Sequence, residues 1–228
     1  MKIDASLSFR AAKCGLVLAS ALGTAGAAPT TPPDKAAYKD DSANYLQLMR
    51  NHYDRTMQVG IDVYGPVKSA LWLASVDVQK GGQPDKADPA VKRTYREIHA
   101  PRGSNLYWEQ PAVIAAYQLS ELSREPKYAQ FADRYLRDFL KLCVSEQNGL
   151  FLFGNHLYYD VFTDKIVGFS GSHFEIRPLP CAWDMFWRIS PAQTERCIRT
   201  LGVQFVLDPV TGYFTRHASI TATEPPPP

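Results

Sequence analysis

Apolar residues recur with helical spacing along most of this chain, and this period restricts its fold more than any other feature. Glu125–Pro126 and Ser190–Pro191 interrupt the pattern, and a helix seldom continues through a proline, so the stretches on either side form helical hairpins. We therefore expect an all-α fold, an α/α toroid (barrel) of helical hairpins. The spacing predicts seven helices, over residues 42–57, 66–79, 88–100, 109–125, 126–146, 180–189 and 191–206.

The number of helices bears on whether such a ring closes. A closed toroid of hairpins needs roughly twelve or more helices of ordinary length, and seven are too few. The expectation is therefore a truncated toroid, and the alternative is a complete, open helical domain with a Pro-rich tail. Residues 156–177 are rich in glycine and aromatic residues, and we expect short strands or loops around a site there.

The N-terminal segment predicts export. Lys2, Arg10 and Lys13 supply positive charge, a short apolar run follows, and Ala25–Ala27 has the small residues of a cleavage site. The protein is therefore expected to be periplasmic or secreted. The segments are a signal peptide, a linker, a partial α/α-barrel catalytic domain and a Pro-rich tail that need not be native sequence, at 1–27, 28–41, 42–218 and 219–228.

Charge and cysteine content exclude some functions and leave others open. Without residues 1–27 the chain has equal numbers of acidic and basic residues, so net charge does not indicate a nucleic-acid partner. No other apolar run is long enough for a membrane span. Cys143, Cys181 and Cys197 have no CxxC spacing, and both one disulfide and free buried thiols fit this pattern.

Three of the five histidines lie near charged or aromatic residues in the second half of the chain. His156, Glu175 and His217 together offer two imidazoles and one carboxylate, which suits a divalent metal with open coordination positions. His173 lies two residues before Glu175 and is an alternative ligand to His156. No HExxH, CxxC or EF-hand pattern accompanies these residues, so the spacing alone defines only a candidate metal site.

A family resemblance covers roughly residues 60–218. The run from Arg102 to Lys165, "RGSNLYWEQPAVIAAYQ … GNHLYYDVFTDK", resembles pectate lyases with an α/α barrel. The pattern "HLYYD … HFEIRPLP … W … GYFTRHA" is similar to polysaccharide lyase family two. The resemblance implies cleavage of polygalacturonate, an acidic plant polysaccharide, or its oligomers, outside the cytoplasm.

The resemblance also implies roles for individual residues. In the family, two histidines and a glutamate hold a Mn²⁺-like ion, and the arginine directly before the second histidine is the Brønsted base. Glu175 follows His156 by nineteen positions, His217 follows Glu175 by forty-two, and Arg216 directly precedes His217. The resemblance therefore implies Mn²⁺ at this site, with Mg²⁺, Ca²⁺ or another divalent ion as alternatives.

The chemistry explains why such residues belong together. β-Elimination removes the C5 proton of a uronate, and a divalent cation on the carboxylate stabilises the negative charge that develops. Arg216 as base is unusual, because a guanidinium is normally protonated at neutral pH, and this role implies an alkaline optimum. The alternative role for Arg216 is a clamp that binds a substrate carboxylate through its planar fork.

Further residues are candidates for substrate contact. Arg177 could bind a substrate carboxylate or hold Glu175 in place. Aromatic rings can serve as platforms for sugars, and the candidates are Tyr107, Trp108, Tyr158 and Tyr159. The leading hypothesis is a metal-dependent pectate lyase. The alternatives are another toroid enzyme, an unsaturated-uronate hydrolase or a sugar epimerase, and a non-catalytic carbohydrate-binding or relic protein.

Overall fold

The computed structural model describes residues 42–77, 79–82, 103–153, 157–168, 173–175 and 182–219. Within these ranges the helices are α1 (Ser42–Val59), α2 (Leu106–Ser123), α3 (Lys127–Leu142), α4 (Trp183–Ile189) and α5 (Pro191–Gln204). The strands are β1 (Gly103–Ser104), β2 (Leu157–Asp160), β3 (Lys165–Gly168), β4 (His173–Glu175), β5 (Val206–Asp208), β6 (Tyr213–Phe214) and β7 (His217–Ser219). The predicted signal peptide, linker, helix 88–100 and tail beyond Ser219 lie outside the described residues.

The hairpin of α2 and α3 confirms the helical periodicity of this part of the sequence. Asn105 caps α2, because its side chain accepts a hydrogen bond from the Tyr107 amide at 2.9 Å. Helix α2 ends at Arg124, which has a left-handed backbone conformation. The apolar face of α3 is buried at helical intervals, at Tyr128, Phe131, Ala132, Tyr135, Leu136, Phe139 and Leu140.

Aromatic side chains connect this hairpin to the rest of the core. Trp72 stacks on Phe131, with ring centroids 4.9 Å apart. On the other side, Phe186 of α4 lies 5.7 Å from Phe139 and 4.9 Å from Phe151 between ring centroids. Large buried rings contribute much of the apolar area that stabilises a core. The core therefore extends from the region of Trp72 through α3 to α4.

The prediction of an all-α toroid is wrong. Three small antiparallel sheets accompany the helices in the described residues, with strand orders β1-β2-β3, β4-β7 and β5-β6. Each strand has two to four residues, which is too short to show a clear period of two in the sequence. Strands β2, β3 and β4 lie in the stretch 156–177, where short strands or loops were expected, whereas β1, β5, β6 and β7 were not predicted.

The predicted helix over residues 66–79 is also wrong. Residues 71–74 are buried without interruption, which one face of a helix cannot achieve. The segment pairs with a neighbouring extended stretch instead: the Asp62 amide donates to the Leu71 carbonyl, and the Leu73 amide to the Gly60 carbonyl, both at 2.9 Å. The apolar run thus reflects an extended segment that is covered on both sides.

Candidate active site

Strands β4 and β7 bring together residues that are far apart in the sequence. Their antiparallel register places Glu175 directly opposite His217 and Phe174 opposite Ala218. Residues opposite each other in a sheet project to the same face, so Glu175 and His217 are side by side. Phe174 and Ala218 project to the other face and are buried in the core. The packing of these two apolar residues thus fixes the register of the polar pair.

The Glu175 carboxylate lies at the centre of this group. Its Oε1 atom is 3.7 Å from Nε2 of His217 and 3.7 Å from Nε of Arg216. The carboxylate is fully buried, the imidazole is 34% exposed and the Arg216 side chain is 56% exposed. Both distances are longer than a hydrogen bond but allow strong attraction between charges where water is partly excluded. A solvent-facing guanidinium therefore lies beside a buried carboxylate.

His173 lies on the same strand face, two residues before Glu175. Its ring centroid is 5.7 Å from that of His217, and its side chain is exposed. The register places it opposite Ser219 rather than opposite the carboxylate. No group of three or more His, Cys, Asp or Glu side chains positioned to hold a metal occurs in the described part of the chain. His173 therefore does not complete a three-ligand set with Glu175 and His217 in this geometry.

The Glu175–His217 pair fits two ligands of a divalent cation. Oε1 of Glu175 and Nε2 of His217 are both buried atoms, 3.7 Å apart. Two ligand atoms that share one ion at about 2.1 Å are separated by roughly 3.0–3.4 Å, so a small side-chain shift brings both to bonding distance. An imidazole nitrogen with a carboxylate oxygen is a donor set that Mn²⁺ and Zn²⁺ accept.

A cavity of about 20 Å³ has Glu175 among its lining residues. Gln110 of α2 borders it together with Glu175 and apolar side chains. Gln110 Oε1 accepts a hydrogen bond from the Ala182 amide at 3.0 Å, and no acceptor for its buried Nε2 lies among the described residues. The cavity has room for about one water molecule. Sequence reasoning missed Gln110, because a polar residue at the start of an apolar helix resembles an ordinary surface position.

The predicted aromatic platforms occupy different environments. Tyr158 and Tyr159 are 8% and 2% exposed, so their rings pack inside the protein and offer no open face to a sugar. Burial, together with the Asp164 carboxylate, raises the pKa of Tyr159, whose hydroxyl contacts Asp164 at 3.3 Å. Tyr107 is half-buried against Phe153. The two strand tyrosines thus contribute to packing, and the platform role of the aromatic residues stays a prediction.

Three other predicted residues lie outside what the structure describes. His156 and Arg177 fall in the gaps of the described ranges, and Trp108 lies in α2 without a described side chain. Their roles at the site stay predictions. His156 directly precedes β2, and Arg177 follows β4 by two residues.

Strands β4 and β7 thus bring a carboxylate, a guanidinium and an imidazole together at Glu175, Arg216 and His217. Residues 81–227 match the protein family described as periplasmic pectate lyase. This match covers more than half of the chain and includes all three residues, so the chain belongs to that family of polysaccharide lyases. No curated protein matches the chain.

The family also bears on localisation. Its members are described as periplasmic, which confirms the prediction that the protein is exported. In the part of the chain that the structure describes, no helix has the length and hydrophobicity to cross a membrane.

Proposed function

We propose that the protein cleaves polygalacturonate by metal-dependent β-elimination at the site of Glu175, Arg216 and His217. The observation that carries the proposal is the cross-strand pair of Glu175 and His217, with Nε2 and Oε1 3.7 Å apart and Arg216 on the same oxygen. Family membership supports polygalacturonate as the substrate. His156 is proposed as the third ligand, because the intervals in the sequence resemble those of polysaccharide lyase family two.

The reaction divides between two kinds of residue. Glu175 and His217 would hold a divalent cation, most suitably Mn²⁺, through one negative and one neutral ligand, which would leave most of its charge available. The bound ion would supply positive charge that neutralises the substrate carboxylate and makes the C5 proton more acidic. The buried position of Glu175 keeps water away and strengthens this electrostatic effect.

Arg216 is proposed as the base. Its side chain is 56% exposed and lies beside the buried carboxylate, so a polymer in solvent can reach it. A neutral guanidinium there takes the C5 proton, the C4–oxygen bond breaks, a C4–C5 double bond forms, and the leaving oxygen takes up a proton from solvent. Because arginine is normally protonated at neutral pH, activity should rise toward alkaline pH.

Ultraviolet absorbance of the unsaturated uronate product tests the proposal. Protein stripped with a chelator should produce no absorbing product from polygalacturonate, and adding Mn²⁺ should restore production. Cleavage that continues undiminished in excess chelator would contradict the metal dependence. New reducing ends without absorbance would instead indicate a hydrolase.

A further inference from the structure

A second cleft, of about 390 Å³, lies between α1, residues 72–76 and the first turns of α2. Its volume falls within the range of about 300–1,000 Å³ that is typical of small-molecule sites. Its base is formed by Tyr53, Trp72 and Glu109, each at most 4% exposed, whereas His52 and Arg55 at its edge are exposed. The cleft thus combines a fixed, buried base with an accessible rim. None of Glu175, Arg216 and His217 is among its lining residues.

Trp72, which lines the cleft, has a hydrogen-bond donor that lacks an acceptor among the described residues. The indole Nε1 of Trp72 is buried, and no acceptor for it lies among the described residues. The ring cannot easily turn away, because it stacks on Phe131 and packs against Tyr135 at 4.8 Å between centroids. A buried N–H without a partner is costly, so a ligand oxygen or a water that reaches this atom is stabilised.

The rim supplies positive charge. His52 and Arg55 are three residues apart on α1 and therefore share one helix face. Arg55 forms no ion pair within the part of the chain that the structure describes, so its guanidinium is available to an external anion. A planar guanidinium binds a carboxylate through two parallel hydrogen bonds.

Glu109 determines how an acidic ligand would be oriented. Its Oε2 accepts a hydrogen bond from the Asn105 amide at 2.7 Å, and its side chain also borders the cleft. A carboxylate at the base repels another carboxylate but accepts hydrogen bonds from hydroxyl groups. The negative group of a ligand is thus directed to Arg55 at the rim, and hydroxyl-bearing atoms are directed to the base.

We propose that this cleft binds one uronate unit of an acidic oligosaccharide, with its carboxylate on Arg55 and a ring or hydroxyl oxygen on the indole of Trp72. The choice of a uronate as the ligand rests on the proposed function. The geometry of the cleft is observed independently of that function. Such a subsite would bind one unit of the polymer outside the group of Glu175, Arg216 and His217, and this additional contact would raise the affinity for longer chains.

Calorimetric titration of the full chain with D-galacturonate tests this subsite. Arg55→Gln removes the rim charge, and Trp72→Phe removes the indole N–H while keeping an aromatic ring. We expect each change to weaken binding about tenfold. Arg137→Gln, which alters another exposed arginine, on α3, is the matched control and should bind like the wild type.

Unchanged affinity in Arg55→Gln would overturn the subsite. Because Arg55 is exposed, this variant should fold and keeps the test valid even where Trp72→Phe does not fold. D-Galactose, which has no carboxylate, should bind at least about tenfold more weakly than D-galacturonate. Equal binding of the two sugars would overturn the uronate assignment. Glu175→Gln separates the two proposals: it should lower the cleavage rate roughly 100- to 1,000-fold and leave galacturonate affinity in the cleft unchanged. If the wild type cleaves nothing but binds galacturonate through Arg55, the subsite stands and the cleavage proposal fails.

Discussion

The α2–α3 hairpin and the β4–β7 pair are built on opposite principles. The hairpin consists of two long neighbouring helices, and seven residues of α3 are buried along one face. The strand pair consists of two three-residue elements that meet across a long sequence separation, and four of its six residues are polar. The helices thus contribute apolar area, whereas the strands contribute the relative position of a carboxylate, an imidazole and a guanidinium.

This difference predicts that the hairpin mainly determines stability and that the strand pair mainly determines activity. A short strand pair cannot be stable on its own, so β4 and β7 depend on the core beneath Phe174 and Ala218. In return, the register of a strand pair fixes side chains more narrowly than a loop does. Changes in the hairpin should therefore reduce stability, and changes in the strand pair should reduce activity.

The largest expected effect is on activity in the strand pair. Glu175→Gln keeps the size of the side chain but removes the negative charge that faces His217 and Arg216. We expect the initial rate of unsaturated product formation to fall roughly 100- to 1,000-fold. Glu121→Gln, at an exposed position of α2, is the control and should have wild-type rates. A rate within twofold of wild type for Glu175→Gln would remove the carboxylate from the mechanism.

The largest expected effect on stability is in the hairpin. Phe139 is fully buried and contacts Tyr135, Phe151 and Phe186. Phe139→Ala should lower the free energy of unfolding by about 3–5 kcal/mol, because it removes apolar contacts and leaves a cavity. Urea unfolding measures this loss, and the activity per folded molecule should stay near wild type. A folded variant without activity would show that the two regions do not divide stability and chemistry as described.

A smaller loss of stability is expected where the helices join the sheets. The Asn105 side chain caps α2 and also donates a hydrogen bond to the Leu157 carbonyl of β2 at 2.5 Å. Asn105→Ala should cost about 1–3 kcal/mol in unfolding free energy, since the bond to Leu157 is buried and the capping bond is partly buried. Asn51→Ala on the exposed part of α1 is the control and should change it by less than about 0.5 kcal/mol. Equal effects of the two substitutions would contradict the linking role of Asn105.

The smallest expected effect on the rate is that of replacing His173, and comparison with His156 shows which of the two histidines is the third ligand. His173 is exposed and lies opposite Ser219, so His173→Gln should change the rate by less than about twofold. His156→Gln should lower the rate and the affinity for Mn²⁺ by about 100-fold if His156 is the third ligand. The reverse order of effects, measured by metal titration, would assign the ligand role to His173.

The sequence allowed the helices to be predicted better than their arrangement. The spacing in residues 126–146 repeats over several turns, so the helix was clear before its neighbours were known. Residues 66–79 have a similar apolar content, but their burial on both sides depends on pairing with the stretch around Gly60. Such pairing is a property of the whole fold and leaves no local period.

The candidate site was predicted for a different reason. The intervals among His156, Glu175, Arg216 and His217 resemble those of a known family, and this resemblance named Glu175 and His217 together before any strand was known. Short strands or loops were expected around "HFE", but "HAS" is too short to be recognised as a strand, and the pairing of the two segments was not predicted. Gln110 and the cleft at Trp72 could not be predicted, since both are defined by burial and by the lack of a described hydrogen-bond partner.

Kinetics of Arg216→Lys on polygalacturonate test the central claim most directly, with Arg137→Lys on α3 as the matched control. Lysine keeps the positive charge but cannot place a nitrogen where the guanidinium lies beside Glu175. If Arg216 is the base in a site that the strand register assembles, kcat should fall roughly 100-fold or more while KM changes little, and wild-type activity should rise toward alkaline pH. A higher KM with unchanged kcat, together with wild-type activity that does not vary with pH, would contradict the account and leave Arg216 as a clamp for the substrate carboxylate.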